Sequence, residues 1–298
     1  DTPALTLRAG QLRQAGASVI TGTTVPPPIA FALAVTSPGV PVDAPLMIAV
    51  RDRGVPVIPE LELGWECCDG GILAITGSSG KSTLAKLCHA ALQACGRQPA
   101  IGANYGTPFA ELVLAAAPAD WYVLEVSSFQ LELIDRFRPD VAILLNLFPN
   151  HLDRHRSMEA YAAAKTRIFM NMRPEDHALV PGTLRPLVAR HVRGPRHWVT
   201  FGTGAADDIR YQPGRIAGAG PEGHEVDLRG TMFDNHILGI AAAAAAGALR
   251  AMGFDPRVLG RVAGSFEPLP HRMQMVGEVD GIRFIDDSKA TSLAAMRA

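Results

Sequence analysis

The run Gly77-Ser-Ser-Gly80-Lys81-Ser82 holds the parts needed to bind a triphosphate. Gly77 and Gly80 let the backbone N–H groups around Ser78 and Ser79 turn toward phosphate oxygens. Lys81 supplies a mobile positive charge, the Ser82 hydroxyl can ligate Mg²⁺, and the helical pattern opening at Thr83 adds the positive potential of a helix N-terminus. The loop is shorter between its glycines than the common G-x-x-x-x-G-K-[ST] form. Its place between an apolar strand and a helix separates it from an incidental glycine turn. Beyond it, Glu125 stands near the carboxyl end of the run Trp121–Val126, where open parallel sheets place ligands. Its carboxylate reads either as a Mg²⁺ ligand or as a cap on the Ser127-Ser128 turn. His151 and His155 are spaced like a zinc pair on a helix, but no HExxH glutamate or nearby cysteine accompanies them. His151 therefore reads as a Mg²⁺ ligand or a substrate contact. Lys165, taken alone, is a solvated lysine on an amphipathic helix.

The elements that must position these groups follow from apolar periodicity. Ile72–Thr76, Trp121–Val126 and Val141–Leu145 are short apolar runs alternating with helical patterns such as Ser82–Cys95, which predicts a parallel sheet flanked by helices. Met158–Asn171 lacks Pro and Gly and reads as a helix ended before Pro174. Between Pro181 and Gly223 the chain is rich in Gly, Pro and Arg, predicting loops and short strands. Asn235–Ala251 contains an alanine run that predicts a closely packed core helix. Upstream, Ile29–Val35 reads as a buried strand and Val55–Ile58 as a second, a small α/β unit that begins mid-fold. Ile282–Ile285 reads as a strand close to the end of the chain.

Bulk properties narrow the class. The chain has 298 residues, 48% hydrophobic and 19% charged, enough for one large core or two moderate ones. A formal net charge of −1, from 28 basic and 29 acidic side chains, leaves no electrostatic footprint for nucleic acid or an anionic membrane. Cys67, Cys68, Cys88 and Cys95 lack metal-site spacing and read as reduced cytosolic thiols. No signal peptide or membrane-length apolar segment occurs. A start at Asp1-Thr2-Pro3 without Met suggests a chain cut from something longer.

The segments Ala74–Ser82, Gly102–Pro108, Val123–Glu132, Leu145–His155, Tyr161–Lys165, Leu269–Arg272 and Asp287–Thr291 together resemble the Mur ligases, in order and over nearly the whole chain. The run Ser127-Ser-Phe-Gln-Leu-Glu132 favours the D-glutamate-adding branch. The resemblance implies a central P-loop ATPase domain with a parallel sheet (residues 65–284). It also implies a partial Rossmann-like UDP-precursor-binding domain (1–64) and the opening of a C-terminal Rossmann-like amino-acid-binding domain (285–298). It implies a cytoplasmic, monomeric ATP-dependent ligase of peptidoglycan and cell-wall biogenesis, joining glutamate to UDP-N-acetylmuramoyl-L-alanine. L-Glutamate or another amino acid, or a nucleotide-binding fragment without catalysis, stay open as alternatives. By position, the phosphate loop through Lys81 and Ser82 would bind ATP. Glu125 with Ser82 would bind one Mg²⁺, and His151 a second. Lys165 matches a lysine that the family carbamylates into a metal ligand. Asn104 would contact the UDP-sugar, and Asp1, Thr2, Ser37 and Gly39 the uracil and diphosphate side. Asn235 would contact adenine and Arg272 the nucleotide. Asp287, Lys289 and Thr291 would hold ribose and the amino acid. Ser79, Tyr105, Asn150 and Leu238 depart from the usual Asn, Ile, Asp and Asn of the family.

Overall fold

Apolar runs too short for a helix become the centre of the main sheet in the computed structural model, which describes residues 3–194, 196–218, 225–271 and 274–289. The chain divides into two compact units, Asp1–Ile58 and Pro59–Ala298. The first holds α1 (Pro3–Gln14), β1 (Ala34–Thr36) and α2 (Pro45–Asp52), with β2 (Val57–Pro59) at its end pairing β1. The expectation of a buried strand over Ile29–Val35 is corrected here. Only the tail of that run is strand, and Ile29, Phe31 and Leu33 are exposed. Three prolines at 26–28 interrupt the backbone just upstream and remove ladder donors.

The second unit runs α3 (Glu60–Glu66), β3 (Gly71–Thr76), α4 (Lys81–Ala94), β4 (Pro99–Ala103), α5 (Phe109–Val113), β5 (Trp121–Glu125), α6 (Ser128–Leu131) and β6 (Val141–Leu144). It continues through α7 (Leu152–His155), α8 (Met158–Thr166), β7 (His177–Pro181), α9 (Arg185–His191), β8 (His197–Gly202), β9 (Ile209–Gln212), β10 (Arg215–Ala217) and β11 (Val226–Asp227). It closes with α10 (His236–Ala251), α11 (Val258–Gly264) and the hairpin β12 (Gln274–Val279) and β13 (Ile282–Asp286). The helix expected over Met158–Asn171 ends as α8 and a 3-10 turn, Arg167–Phe169.

Nine strands form one sheet in the order β11-β10-β9-β8-β7-β6-β3-β5-β4. The strands from β4 to β9 pair in parallel, and β10 and β11 add an antiparallel edge. Alternate residues of β3 serve opposite faces, as a pleated strand requires. Leu73 and Ile75 pack with α4, α10 and α11, while Ile72 and Ala74 pack with α3, α5 and the Ile168-Phe169 turn. The alanines 241–246 of α10 are all buried, and small residues bring the helix against the sheet. A Cβ on Gly239 would lie 2.3 Å from the Tyr211 ring. Chain order reverses around β3: β4 and β5 lie on one side and β6 onward on the other. That reversal opens a crevice at the carboxyl ends of β3, β5 and β6.

Candidate functional site

The phosphate loop leaves β3 at Thr76 and enters α4 through Gly80, whose φ of 77° is a left-handed turn that favours glycine. Lys81 is the first residue of α4 and Ser82, buried, the second. Thr83 follows on the same first turn, so the loop amides, the lysine and the hydroxyl meet at one helix N-terminus. A residue outside the predicted set shapes this loop. Asn146, just past β6, accepts from the N–H groups of Ser78 (2.9 Å) and Ser79 (3.0 Å) and donates through Nδ2 to the Ser79 carbonyl at 3.0 Å. Ser78 Oγ also lies 3.2 Å from the hydroxyl of buried Tyr161 and accepts from the Phe148 N–H at 2.8 Å. The sequence signal for Asn146 was its place immediately beyond an apolar strand.

Lys165 is not the solvated lysine that its helix alone suggests. It is 2% exposed and donates to the Gly77 carbonyl at 2.9 Å and the Thr76 hydroxyl at 3.3 Å. Burial, then the like charge of Lys81, push its pKa well below the usual lysine range, against the opposing pull of Glu125. Lys81 Nζ donates to the same Gly77 carbonyl at 3.1 Å. The amino groups of two lysines thus converge on one peptide oxygen at the mouth of the loop.

Glu125 ends β5 and is 3% exposed. Its Oε1 accepts from Asn104 Nδ2 at 2.7 Å, while Oε2 is buried with no hydrogen-bond partner. The carboxylate does not cap the following turn. Ser127 does so, accepting from the Gln130 N–H while Gln130 Oε1 accepts from the Ser127 N–H, a complete capping box. A buried carboxylate oxygen without a partner is costly unless a cation or a proton satisfies it. The donor set fits Mg²⁺, which prefers oxygen and draws its remaining ligands from water and phosphate. Among the described residues no group of three or more His, Cys, Asp and Glu is placed to enclose a metal, so such an ion would depend on its nucleotide.

His151 stands at the entry to α7 with φ 54° and ψ 32°. Burial, then the charges of Lys165 and Lys81, lower its pKa and favour the neutral imidazole that ligates metals. Phe129 packs edge-on against its ring at 4.9 Å between centroids. His155 does not pair with it as a metal ligand, because its Nε2 lies 2.9 Å from Ser128 Oγ.

The structure therefore brings Gly77–Thr83, Asn104, Glu125, His151 and Lys165 to one end of one sheet. Asn235 is the N-cap of α10, accepting from the N–H groups of Ile237 and Leu238 at 3.0 Å each. Asp287 and Lys289 follow β13, where the Lys289 N–H donates to the His271 carbonyl at 3.1 Å. Ser37 and Gly39 belong to the turn after β1, closed by the Val40 N–H on the Ser37 carbonyl at 3.0 Å. Asp1, Thr2, Arg272 and Thr291 lie outside the described residues. The four cysteines are free. No helix among the described residues is long and apolar enough to cross a membrane.

Comparison with known proteins places this geometry. Residues 75–236, more than half of the chain, match the family model of the Mur ligase middle domain. The chain is 37% identical over 278 residues to the UDP-N-acetylmuramoylalanine–D-glutamate ligase of Koribacter versatilis, covering 88% of this chain and 59% of that protein. It is 36% identical over 291 residues to the ligase of the same name from Desulfovibrio desulfuricans, covering 97% of this chain and 62% of that one. It thus spans about three fifths of the length of these relatives. Crystal structures share the fold. MurF from Acinetobacter baumannii superposes with a TM-score of 0.63 at 18% identity, over 80% of this chain and 55% of that one. MurF ligase from Thermotoga maritima, in complex with ADP, gives 0.59 at 21% identity, over 80% and 63%. With its phosphate loop, its crevice at the reversal of strand order and this match across the sheet that carries both, the chain belongs to the Mur ligase family.

Proposed function

We propose that this chain carries the ATP-binding and phosphoryl-transfer site of a cytoplasmic, monomeric ligase that joins D-glutamate to UDP-N-acetylmuramoyl-L-alanine in peptidoglycan synthesis. The observation that carries the reading is the convergence of Lys81, Lys165 and the half-unsatisfied carboxylate of Glu125 beside a phosphate loop. The identity of over a third to D-glutamate ligases supports the choice of amino acid.

On this reading the carboxylate of the muramoyl-bound alanine attacks the γ-phosphorus of ATP, the bond to the β–γ bridging oxygen breaks, and ADP leaves an acyl phosphate. The amine of glutamate then displaces phosphate from the acyl phosphate, forming the amide. The chain's contribution is positioning and electrostatic. The amides at the N-terminus of α4 and Lys81 hold the phosphates, those of Ser78 and Ser79 being engaged by Asn146, while Asn104 orients Glu125 and the buried Lys165 and Tyr161 pack beneath the loop. Ser82 and Glu125 would hold one Mg²⁺, and His151 and Lys165 a second. The ions would supply charge neutralisation on the transferring group. Lys165 serves as a metal ligand only after carbamylation. Burial lowers its pKa and so favours the neutral amine, the form that adds to CO₂ and sheds a proton. The first unit would take the UDP side through Asp1, Thr2, Ser37 and Gly39. Asn235, Arg272 and Asp287 would hold the nucleoside of ATP. Lys289 and Thr291 would face the incoming amino acid, where a further domain opens at residue 285.

The test is phosphate release by the complete polypeptide with ATP, Mg²⁺, UDP-N-acetylmuramoyl-L-alanine and either enantiomer of glutamate. Release with D-glutamate alone is expected. Nucleotide binding with no release for either enantiomer would overturn the ligase reading and leave a binding module.

A further inference from the structure

α7 has four residues, far too few to hold itself as a helix, and it is bounded by two left-handed residues, His151 at φ 54° and Arg156 at φ 63°. Neither is glycine, so the surroundings must impose both conformations. The only buried residue of this element is His155. Beside the direct contact of Phe129 with the His151 ring and the Arg154–Glu132 pair, the buried anchor of the turn that His151 opens is His155 at its other end.

The contacts of His155 reach two neighbouring elements, α6 and α8. Its Nε2 lies 2.9 Å from Ser128 Oγ at the start of α6, and its Nδ1 lies 3.6 Å from Glu132 Oε1 at the end of α6. With Nδ1 protonated toward Glu132, Nε2 accepts the hydroxyl hydrogen of Ser128. Arg154 clasps the same Glu132, through Nε at 3.2 Å and Nη2 at 2.6 Å. The His155 ring stacks on Phe129, with centroids 5.6 Å apart, and Phe129 in turn meets the ring of His151. On its other side His155 lies 5.2 Å from Tyr161 of α8, whose hydroxyl reaches Ser78 in the phosphate loop.

Ser128, His155 and Glu132 stand in the order of a nucleophilic triad. Ser128 is 2% exposed, however, and no substrate can reach its oxygen. A buried hydroxyl and imidazole in mutual contact, joining the turn after β5 to the turn after β6, form a tie. Ser128 opens α6 just after Glu125, and His155 closes α7, the turn that His151 opens.

We infer that His155, held by Ser128 and Glu132 and stacked on Phe129, is a positioning residue that fixes the imidazole of His151 over the phosphate crevice and so sets the affinity for a divalent cation there. The inference rests on the proposed reading of His151 as a ligand. Outer contacts that orient a ligand typically govern metal affinity by about 10–100-fold.

The experiment measures Mn²⁺ affinity by electron paramagnetic resonance, with the full chain and a non-hydrolysable ATP analogue, for wild type, Ser128→Ala, His155→Phe, His151→Ala and the double variant His151→Ala/His155→Phe. His155→Phe keeps a ring on Phe129 and loses the tie to Ser128. Ser128→Ala removes one oxygen and leaves both rings. Both are expected to weaken Mn²⁺ by about 10–100-fold while analogue affinity without metal stays at the wild-type value and Tm falls only modestly, as the loss of one buried hydrogen bond requires. The double variant is expected to bind Mn²⁺ no more weakly than His151→Ala, because His155 acts through His151. Unchanged Mn²⁺ affinity in both single variants, or additive losses in the double variant, would overturn the inference. A fall in metal-free analogue binding as large as the fall in Mn²⁺ affinity would overturn it also, in favour of a purely structural role. If wild type shows no analogue-dependent Mn²⁺ binding, or if His151→Ala leaves that binding intact, the ligand reading itself fails.

Discussion

Asn146 shows how one side chain can decide what a phosphate loop offers its ligand. Its Oδ1 accepts from two successive amides, those of Ser78 and Ser79, and its Nδ2 returns a hydrogen bond to Ser79. The first half of the loop is thereby held by protein, while Gly80, Lys81 and Ser82 sit at the N-terminus of α4. Asn146→Ala removes the acceptor and lets the loop wander. At about 1 kcal/mol per lost hydrogen bond, ATP binding should weaken by at least roughly fivefold. Asn146→Asp keeps an acceptor but adds a negative charge beside the site for phosphate, so it should weaken ATP more than alanine does, and less so at high salt. Calorimetric titration of ATP at two salt concentrations decides this. An aspartate variant that binds ATP as wild type does would show that Asn146 lies outside the phosphate field. Ser79, where the family usually has Asn, contributes its backbone to this clasp through both N–H and carbonyl.

At the scale of elements, α10 is the clearest case of sequence dictating packing. Its alanines 242–246 are fully buried, and a helix apolar all round must lie inside the molecule. Ala244→Leu should cost about 1–3 kcal/mol, because added methylenes have no space between helix and sheet. Asn235→Ala should cost about 1 kcal/mol for the lost cap of the same helix. Urea midpoints measure both, and a leucine variant as stable as wild type would mean that the helix is loosely packed. The same periodic logic made β3, β5, β6 and α10 legible from sequence, since their apolar runs are uninterrupted. Ile29–Val35 misled because its apolar residues follow three prolines and become strand only over their last two positions, Ala34 and Val35, continuing to Thr36. β8–β10 were legible only as short strands between Pro181 and Gly223, since strands of three to six residues among Gly, Pro and Arg leave little periodicity, and β7 and β11 lie almost wholly outside that stretch. At the site, the phosphate loop could be read from residue types alone. The burial of Lys165 could not, because a lysine's surroundings come from elements distant in sequence, here Thr76 and Gly77.

For the molecule as a whole, partly buried histidines whose pKa values are lowered link stability to pH. His89, His155 and His177 all have pKa values below the usual 6.5, with burial the first cause in each. Around His177 the stacked ring of His197 at 5.0 Å and the charge of Arg250 add to burial, against Asp176. Around His155 the charges of Arg154, His151 and Lys165 oppose Glu132, and around His89 the Pro99 carbonyl, 3.1 Å from Nε2, opposes burial. In the unfolded chain these rings take up protons as pH falls through about 6.5, whereas in the folded chain they resist until lower pH. The unfolded state therefore binds more protons across that window, and stability rises with pH there. Thermal unfolding should show Tm falling as pH drops from neutrality through 6.5, well above the range where Asp227 and Asp286, lowered to about 2, protonate. Replacing His177 with Asn removes the titrating ring while leaving Arg250 and His197 in place, and should flatten that slope. A Tm that stays level through this window in wild type, or a slope untouched in His177→Asn, would mean that solvent reaches these rings and hydrates their charged forms in the folded protein.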